Sequence, residues 1–350
     1  MIVLGIESSC DETAAALVTA DRRILSDLVA AQLEDHRPYG GVVPEVAARA
    51  HLDRLDKLVG QAMREAGIGF GEIDAVAATG GPGLIGGVIV GVMTGKAIAL
   101  VHGKPFIAVN HLEGHALTAR LTDDTPFPYL LLLVSGGHCQ LLVVEGVGRY
   151  RRLGSTIDDA AGEAFDKAAK LLGLGYPGGP SVERAARAAT NPVKDLPRPM
   201  KGRAELNFSF SGLKTALRHK VEELGVLDDE TRANLAAGFQ MAVVESLIDR
   251  TRRAIVAARE SHPTLSALVV AGGVAANTAL RTELESCARQ AGLDFVAPPL
   301  RLCTDNAAMI AWAGLERFRM GEHSPLDFAP RPRWPLDEDA PRLIGAGVKA

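Results

Sequence analysis

Cysteine is scarce in this chain: four thiols in 350 residues, Cys10, Cys139, Cys287 and Cys303, with no Cys-x-x-Cys spacing. That speaks against a disulfide framework and for reduced thiols in a cytoplasmic protein. Aromatic residues reach only 5%, so no surface rich in stacking rings is on offer. An excess of positive charge is missing too. The net charge of −4 excludes a uniformly basic nucleic-acid-binding face and leaves room only for local patches. The amino terminus, "MIVLGIESSCDET", meets a carboxylate at Glu7, which is not the pattern of a secretory leader. The longest uncharged stretch, "AVAATGGPGLIGGVIVGVMTG" (75–95), has the length of a membrane span. Gly80, Gly81, Pro82 and Gly83 break it near its start, so a strand, a glycine turn and a buried helix are expected, and no membrane.

What is present is a repeat. "IVLGIESSCDETAAALV" and "YLLLLVSGGHCQLLVVEG" each place two apolar strands around a small, polar bend, and a third strand follows each at "RILSDLV" and "RYRRLG". The first half continues with an amphipathic helix, "VPEVAARAHLDRLDKLVGQAMREAG", and the strand "DAVAATGG". The second reaches "LSALVVAGGVAAN" after much more chain. Each double glycine is followed by a helix and a short strand, "FIAVN" or "FVAPP", and then by "HLEGH" or "LCTDNAAMIAWAG". The interval from Gly80 to His111 nearly equals that from Gly272 to Asp305. Two halves of order βββαβαβα account for this, residues 1–126 and 127–322, the second with a mostly helical insertion at about 156–262. Within the insertion, "NPVKDLPRPMKGRAELNFSFSGLKTALRHK" is rich in proline and base and reads as a long exposed segment. Residues 323–350 read as a proline-rich, charged tail with little structure. The duplicated hairpin layout resembles the actin, hexokinase and Hsp70-like α/β fold, in which two similar domains face each other and clasp a ligand in the cleft between them.

The histidines of "HLEGH" stand four apart, one turn of helix, and so share a face. The repeat sets "TDNAAM" at the equivalent end of the other half. His111, His115 and Asp305 are therefore expected to converge across the cleft as a two-histidine, one-carboxylate set suited to Zn²⁺ or Fe²⁺. Glu113 points roughly 200° around a 3.6-residue helix from this set, as a favourable charge in a first helical turn. The HExxH arrangement of a zinc protease, with its glutamate beside the first histidine, is missing.

"VSGGHC" offers consecutive backbone N–H groups at a bend, a nest for anionic oxygens or simply a tight hairpin. "AGGVAAN" ends a strand and opens a helix, and "YPGGP" leaves bare backbone at a turn. "ESSCDET" gathers Glu7, Asp11 and Glu12 at the first hairpin, where a phosphate ligand needs an intervening cation. Lys194, Arg198, Lys201 and Arg203, with Lys214, Arg218 and Lys220 nearby, form one local basic patch. Arg149, Arg151 and Arg152 form another.

"GIESSCDETA", "GGVVPEVAARAH", "GPGLIGGVIVG", "NHLEGH", "VSGGHCQL", "DDAAGEAFDK", "GYPGGP", "NFSFSGLKTAL", "AGGVAAN" and "DNAAMIAWAG" occur in the order seen in the TsaD family, over residues 1 to about 320. Members resemble the catalytic subunit of the KEOPS complex. The resemblance implies a tRNA N6-adenosine threonylcarbamoyltransferase. Its donor would be threonylcarbamoyl-AMP and its acceptor N6 of the adenosine 3′ to the anticodon in tRNAs reading ANN codons, with AMP released. By motif, His111, His115 and Asp305 match metal ligands, usually of iron or zinc. Val134, Ser135, Gly136, Gly137, His138, Asp166, Gly179 and Asn277 match positions that contact the adenylate. Asp11 and Glu12 match acidic residues linked to activity, and either His138 or a carboxylate of the first hairpin would take the N6 proton.

The chain departs from the family pattern at Cys139, where many relatives carry threonine, and at Leu133, where archaeal relatives carry a metal-binding tyrosine. Glu183 stands where a shorter aspartate is usual. The resemblance also implies a shorter TsaB-like paralogue as partner, paired through the first-half helices, and a TsaE-like ATPase. A metalloprotease using the same triad, a sugar or acetate kinase of the same fold, and a non-catalytic scaffold are the rival readings.

Overall fold

The structure, a computed structural model, describes residues 1–39 and 41–341. The elements begin with β1 (Ile2–Glu7), β2 (Glu12–Thr19), β3 (Ile24–Ala31), α1 (Leu33–His36), α2 (Pro44–Ala66), β4 (Ala75–Gly81), α3 (Ile85–His102), β5 (Phe106–Asn110) and α4 (His111–Asp123). Next come β6 (Tyr129–Val134), β7 (Cys139–Gly146), β8 (Arg149–Ser155), α5 (Ala161–Leu172), α6 (Gly178–Ala186), α7 (Ser211–Leu224) and α8 (Asp229–Ser261). β9 (Ala267–Ala271), α9 (Thr278–Gln290), β10 (Asp294–Val296), α10 (Leu300–Cys303) and α11 (Ala307–Arg319) complete the chain.

Two five-stranded sheets share one topology. The first runs β3-β2-β1-β4-β5 and the second, read from the same edge, β8-β7-β6-β9-β10. In each, the first two strands pair antiparallel as a hairpin and the first and fourth pair parallel. The repeat in the sequence is thus a repeat of sheet order. β1 and β4 are buried almost throughout, because parallel central strands are covered on both faces.

By compactness the chain falls into two units. One comprises Met1–Asp124, Gly146–Arg149 and Thr304–Glu338, and the other Thr125–Glu145, Tyr150–Cys303 and Asp339–Ala350. The halves drawn from the repeat end at other places, since α11 follows β10 in sequence but lies in the first unit. Alternation along β1 explains how. Leu4 and Ile6 join the core under α2 and α3 with Leu55, Val59, Val88 and Val92. Gly5, on the opposite face, lies under α11: a Cβ built there would stand 2.4 Å from the Ala307 carbonyl oxygen. Gly314 of α11 meets Ala77 of β4 equally closely, at 2.4 Å from such a Cβ. Packing this close leaves no room for a Cβ at either glycine.

Three expectations change. α3 is buried on one side only; Ile85, Ile89 and Met93 of its outer face are exposed. By length and composition α3 is also the one described helix able to cross a membrane. The long basic segment is irregular only to Phe210. There α7 begins, with Leu213 and Leu217 one turn apart and fully buried in the second core.

The tail carries no helix or strand of its own between Ser324 and Pro341, but it is tied down. Ser324 N–H donates to the Phe106 carbonyl (2.7 Å) and Arg331 N–H to that of Gly80 (2.8 Å), while the Asn110 amide donates to the Trp334 carbonyl (2.8 Å). Residues 342–350 of the expected tail lie outside the described residues.

Candidate functional site

Asn110 ends β5 and caps α4, its Oδ1 accepting the Leu112 N–H at 2.9 Å. His111 is therefore the first residue of that helix, and His115 follows one turn on. The chain repeats the device at the other end: Asn306 caps α11 by accepting the Met309 N–H at 2.9 Å, which leaves Asp305 just outside the helix. Gly114 lets the two helices close, because a Cβ there would stand 2.8 Å from Ile310 Cδ1. Two bidentate ion pairs lock them. Arg120 Nε meets Glu316 Oε2 at 2.8 Å, and Arg317 Nε meets Glu113 Oε2 at 2.6 Å. Glu113 turns away from the histidines as its helical position demands. Beyond the dipole role expected of it, it is a fully buried partner of Arg317 that also accepts the Gly148 N–H at 3.0 Å.

This closure brings His111, His115 and Asp305 together, with one ligand atom from each within 4.8 Å of the others. They were expected to meet across the two halves. All three belong instead to the first compact unit, because α11 packs on the first sheet. Asp305 Oδ1 lies 3.1 Å from His115 Nε2 and 3.5 Å from His111 Nε2, and the two rings stand edge to face. His111 Nδ1 faces the other way, 3.0 Å from Glu7 Oε2. Burial opposes charge on His111, yet the carboxylates of Asp305 and Glu7 hold its pKa up at about 9. Glu7, pushed up by burial, is nonetheless kept below its ordinary value by His111 and by the hydrogen bond from Ser9. Two imidazoles and one carboxylate with part-buried walls, and a second carboxylate behind the first imidazole, make a group that could hold a metal ion.

The first hairpin lies at the same end of β1. Burial, with the charges of Asp305 and Asp11, pushes the Glu12 carboxyl well above the usual range. Cys10 is shifted up likewise by burial and by Asp11, and Cys139 by burial, so neither is a ready thiolate. His51, inside "GGVVPEVAARAH", pins this hairpin, its Nε2 lying 3.0 Å from the Cys10 carbonyl and its Nδ1 2.8 Å from Thr13 Oγ1. Composition and spacing pointed to neither His51 nor the Glu7–His111 contact.

The second unit holds the other candidates. At the bend Val134–His138, Ser135 N–H donates to the His138 carbonyl (2.8 Å) and His138 N–H to Ser135 Oγ (3.0 Å). Gly136 and Gly137 are exposed, with open space where a Cβ would be. Gly162 of α5 packs against this bend, and Asp166 one turn later accepts the Gly178 N–H at 2.7 Å. Gly179 follows in the first turn of α6, with open space at its Cα. Asn277 caps α9 and donates to Gln240 Oε1 at 2.8 Å. Glu183 is engaged by the protein itself, accepting the Thr278 N–H and pairing with Arg187, both at 3.0 Å. A cavity of about 680 Å³ opens beside Glu183, Gln240 and Thr278 over an apolar floor of Met241, Val244 and Ile248. Leu133 is fully buried in β6. Of the basic candidates, Arg198 and Lys201 pair with Glu245, Lys214 with Asp159, Arg218 with Glu222 and Lys220 with Asp195.

The family model described as TsaD, tRNA N6-adenosine threonylcarbamoyltransferase, matches residues 23–312. A tRNA N6-adenosine threonylcarbamoyltransferase of Paramagnetospirillum magneticum is 66% identical over 97% of this chain and 98% of its own. One of Rhodospirillum rubrum is 65% identical over 99% and 98%. Among solved structures, HypF of T. kodakarensis superposes with a TM-score of 0.60 at 15% identity, over 91% of this chain and 48% of that one. The activator of 2-hydroxyisocaproyl-CoA dehydratase from Clostridium difficile does so with a TM-score of 0.53 at 13% identity, over 92% and 97%. At such identities the likeness is one of fold, the duplicated actin/hexokinase/Hsp70-like α/β fold.

Proposed function

The chain belongs to the tRNA N6-adenosine threonylcarbamoyltransferase family, and from that premise we propose that its acyl donor is threonylcarbamoyl-AMP and its acceptor N6 of the adenosine 3′ to the anticodon in tRNAs reading ANN codons. It is an enzyme, a transferase that modifies tRNA. In the proposed step N6 attacks the carbamoyl carbon. A C–N bond forms, the bond from that carbon to the phosphate oxygen breaks, AMP leaves, and N6 loses a proton. The acyl carbon of such a mixed anhydride is already activated, so positioning carries much of the rate.

The observation that supports this reading best is the convergence of His111, His115 and Asp305 at the end of β1 where Asp11 and Glu12 stand. Those three residues would hold Fe²⁺ or Zn²⁺, which when bound supplies Lewis acidity toward carboxylate, phosphate and carbonyl oxygens. Glu12, whose carboxyl is raised well above the usual range by burial and by the charges of Asp305 and Asp11, would take the N6 proton, with Asp11 and His138 as alternatives. The open glycine bend Val134–His138 would receive the phosphate on backbone N–H groups. Asp166, Gly179 and Asn277 would receive the remainder of the adenylate; Gln240, the partner of Asn277, also lines the cavity. A metalloprotease of the HExxH type would need a glutamate beside the first histidine, where Leu112 stands, and Glu113 is held by Arg317.

The outer face of α3, with Ile85, Ile89 and Met93 a turn apart and Leu52 of α2 also exposed, is the surface proposed for a TsaB-like paralogue. A TsaE-like ATPase completes the set, and free thiols at all four cysteines accord with a cytoplasmic setting. The test is mass spectrometry of nucleosides from unmodified tRNA incubated with the chain, threonylcarbamoyl-AMP and these partners. Threonylcarbamoyladenosine is expected with wild type and not with His111→Ala or Asp305→Ala. Product from all three proteins would remove the metal role. Product from none, with partners active beside another family member, would refute the transfer and favour the kinase reading.

A further inference from the structure

Glu7 is the last residue of β1 and its side chain is fully buried, paired among the described residues with His111 rather than with a lysine or arginine. Removing a carboxylate from water is costly, so its surroundings must reward it. Three donors do. Ser9 N–H reaches Oε1 at 2.6 Å; Thr79 Oγ1 reaches Oε2 at 2.5 Å from the adjacent strand β4; and His111 Nδ1 lies 3.0 Å from the same Oε2. Ser9 Oγ stands 3.2 Å from His111 Nδ1. The carboxylate is thus anchored from two directions before it meets the ring.

We infer that Glu7 is the positioning residue of the metal centre, holding the Nδ1 proton of His111 so that Nε2 turns its lone pair toward His115 and Asp305. The inference rests on the reading of His111, His115 and Asp305 as ligands. An imidazole ligates through one nitrogen only if the proton is kept on the other, and a carboxylate at that other nitrogen keeps it there. The two histidines differ in this respect. His115 Nδ1 is also buried but has no hydrogen-bond partner among the described residues, so nothing fixes a proton there, and that ring is held by packing and by Asp305 at Nε2. His111 is the ligand whose tautomer the protein sets. Glu7 also completes the charge. With Asp305 it supplies two negative charges to a site that would take a dication, a balance that matters where water is largely excluded.

Glutamine at position 7 has the right volume and the wrong hydrogens. If its oxygen accepts the Ser9 N–H, its NH₂ faces His111 Nδ1 and moves the ring proton to Nε2, the ligating atom. If its oxygen accepts from His111, its NH₂ opposes the Ser9 N–H, donor against donor. Either way the centre loses its preset tautomer or a buried hydrogen bond.

The test uses the full chain and Zn²⁺ as probe, in competition with a chromophoric chelator. Glu7→Gln is expected to weaken Zn²⁺ binding by on the order of 10–100-fold, and Thr79→Val, which leaves the carboxylate in place, by less. Long-range ¹⁵N–¹H spectra of the metal-free wild type, at a pH where His111 carries a single proton, should place that proton on Nδ1; no metal bond dictates the tautomer there, so its position reports on Glu7. A folded Glu7→Gln variant with wild-type affinity overturns the inference, as does a His111 proton on Nε2 in the neutral, metal-free wild type. Should Glu7→Gln not fold, the wild-type spectrum and Thr79→Val decide. A wild-type chain that takes up neither Zn²⁺ nor Fe²⁺ overturns the metal reading itself and this inference with it. Equal affinity in wild type and Glu7→Gln overturns only the part given to Glu7.

Discussion

Replacing Glu113 by glutamine separates a structural carboxylate from a catalytic one. Glu113 sits between the two histidines in sequence, yet its fully buried carboxylate forms a bidentate pair with Arg317, at 2.6 and 3.1 Å, and accepts the Gly148 N–H. The amide keeps the volume and leaves the guanidinium facing a neutral group. Removing one partner of a buried pair costs about 3–5 kcal/mol. Arg317 is about one-fifth exposed and retains Glu322, so the lower end applies. At roughly 2–4 °C per kcal/mol for a domain of this size, a loss of about 3 kcal/mol lowers the melting temperature by about 6–12 °C. Because the pair ties α4 to α11, Zn²⁺ affinity should fall with it.

The assay is thermal unfolding of wild type, Glu113→Gln, Arg317→Met and the double variant, with nucleoside formation measured well below the transition. The double variant is expected to be much less destabilised than the sum of the singles, since neither charge is then left alone. Product formation by Glu113→Gln should persist at low temperature. An unchanged melting curve would refute the argument, and an unchanged curve with lost activity would make Glu113 a catalytic group.

Gly5→Ala should cost about 1–3 kcal/mol and weaken Zn²⁺ binding, because its Cβ would stand 2.4 Å from the Ala307 carbonyl and push α11 and Asp305 away; melting and a Zn²⁺ titration check both. In the absence of metal, the raised pKa of His111 adds stability that is complete below its ordinary pKa of 6.5 and is lost as pH rises through about 9. Urea midpoints across that window should fall, whereas Zn²⁺ affinity should climb over the same window, since binding there must displace the His111 proton; flat profiles would contradict the geometry. Truncation after residue 322 removes the bonds from Ser324, Arg331 and Trp334 to Phe106, Gly80 and Asn110 and should lower the melting temperature; a truncated chain as stable as wild type would mean the strap carries no load.

The reading of the sequence reached the duplicated order of elements because that order is written locally. Apolar runs bounded by small polar bends specify hairpins, and the helical periodicity between them specifies crossovers, so two copies of one pattern yield two sheets of one topology. It also reached His111 and His115, since four residues in a helix put two side chains on one face whatever else the chain does. The asparagines that cap α4 and α11 were in plain view beside "HLEGH" and within "TDNAAM". The segment running into α7 and the outer face of α3 were misread for the opposite reason: which stripe of a helix is covered depends on neighbours distant in the chain.

What tertiary structure alone decided is the unit in which the site is built. Local pattern places Asp305 with the second repeat, and only the fit of Gly5, Gly114 and Gly314 against α11 and its neighbours brings it beside the histidines. The same packing converts Glu113 from a surface charge into a buried clamp, lays the proline-rich tail across the ends of β4 and β5, and leaves Glu7 beneath His111. Period and propensity act over a few residues and can be read along the chain. Close approach between backbones hundreds of residues apart, and the burial of charge that follows from it, arise only once the chain has folded.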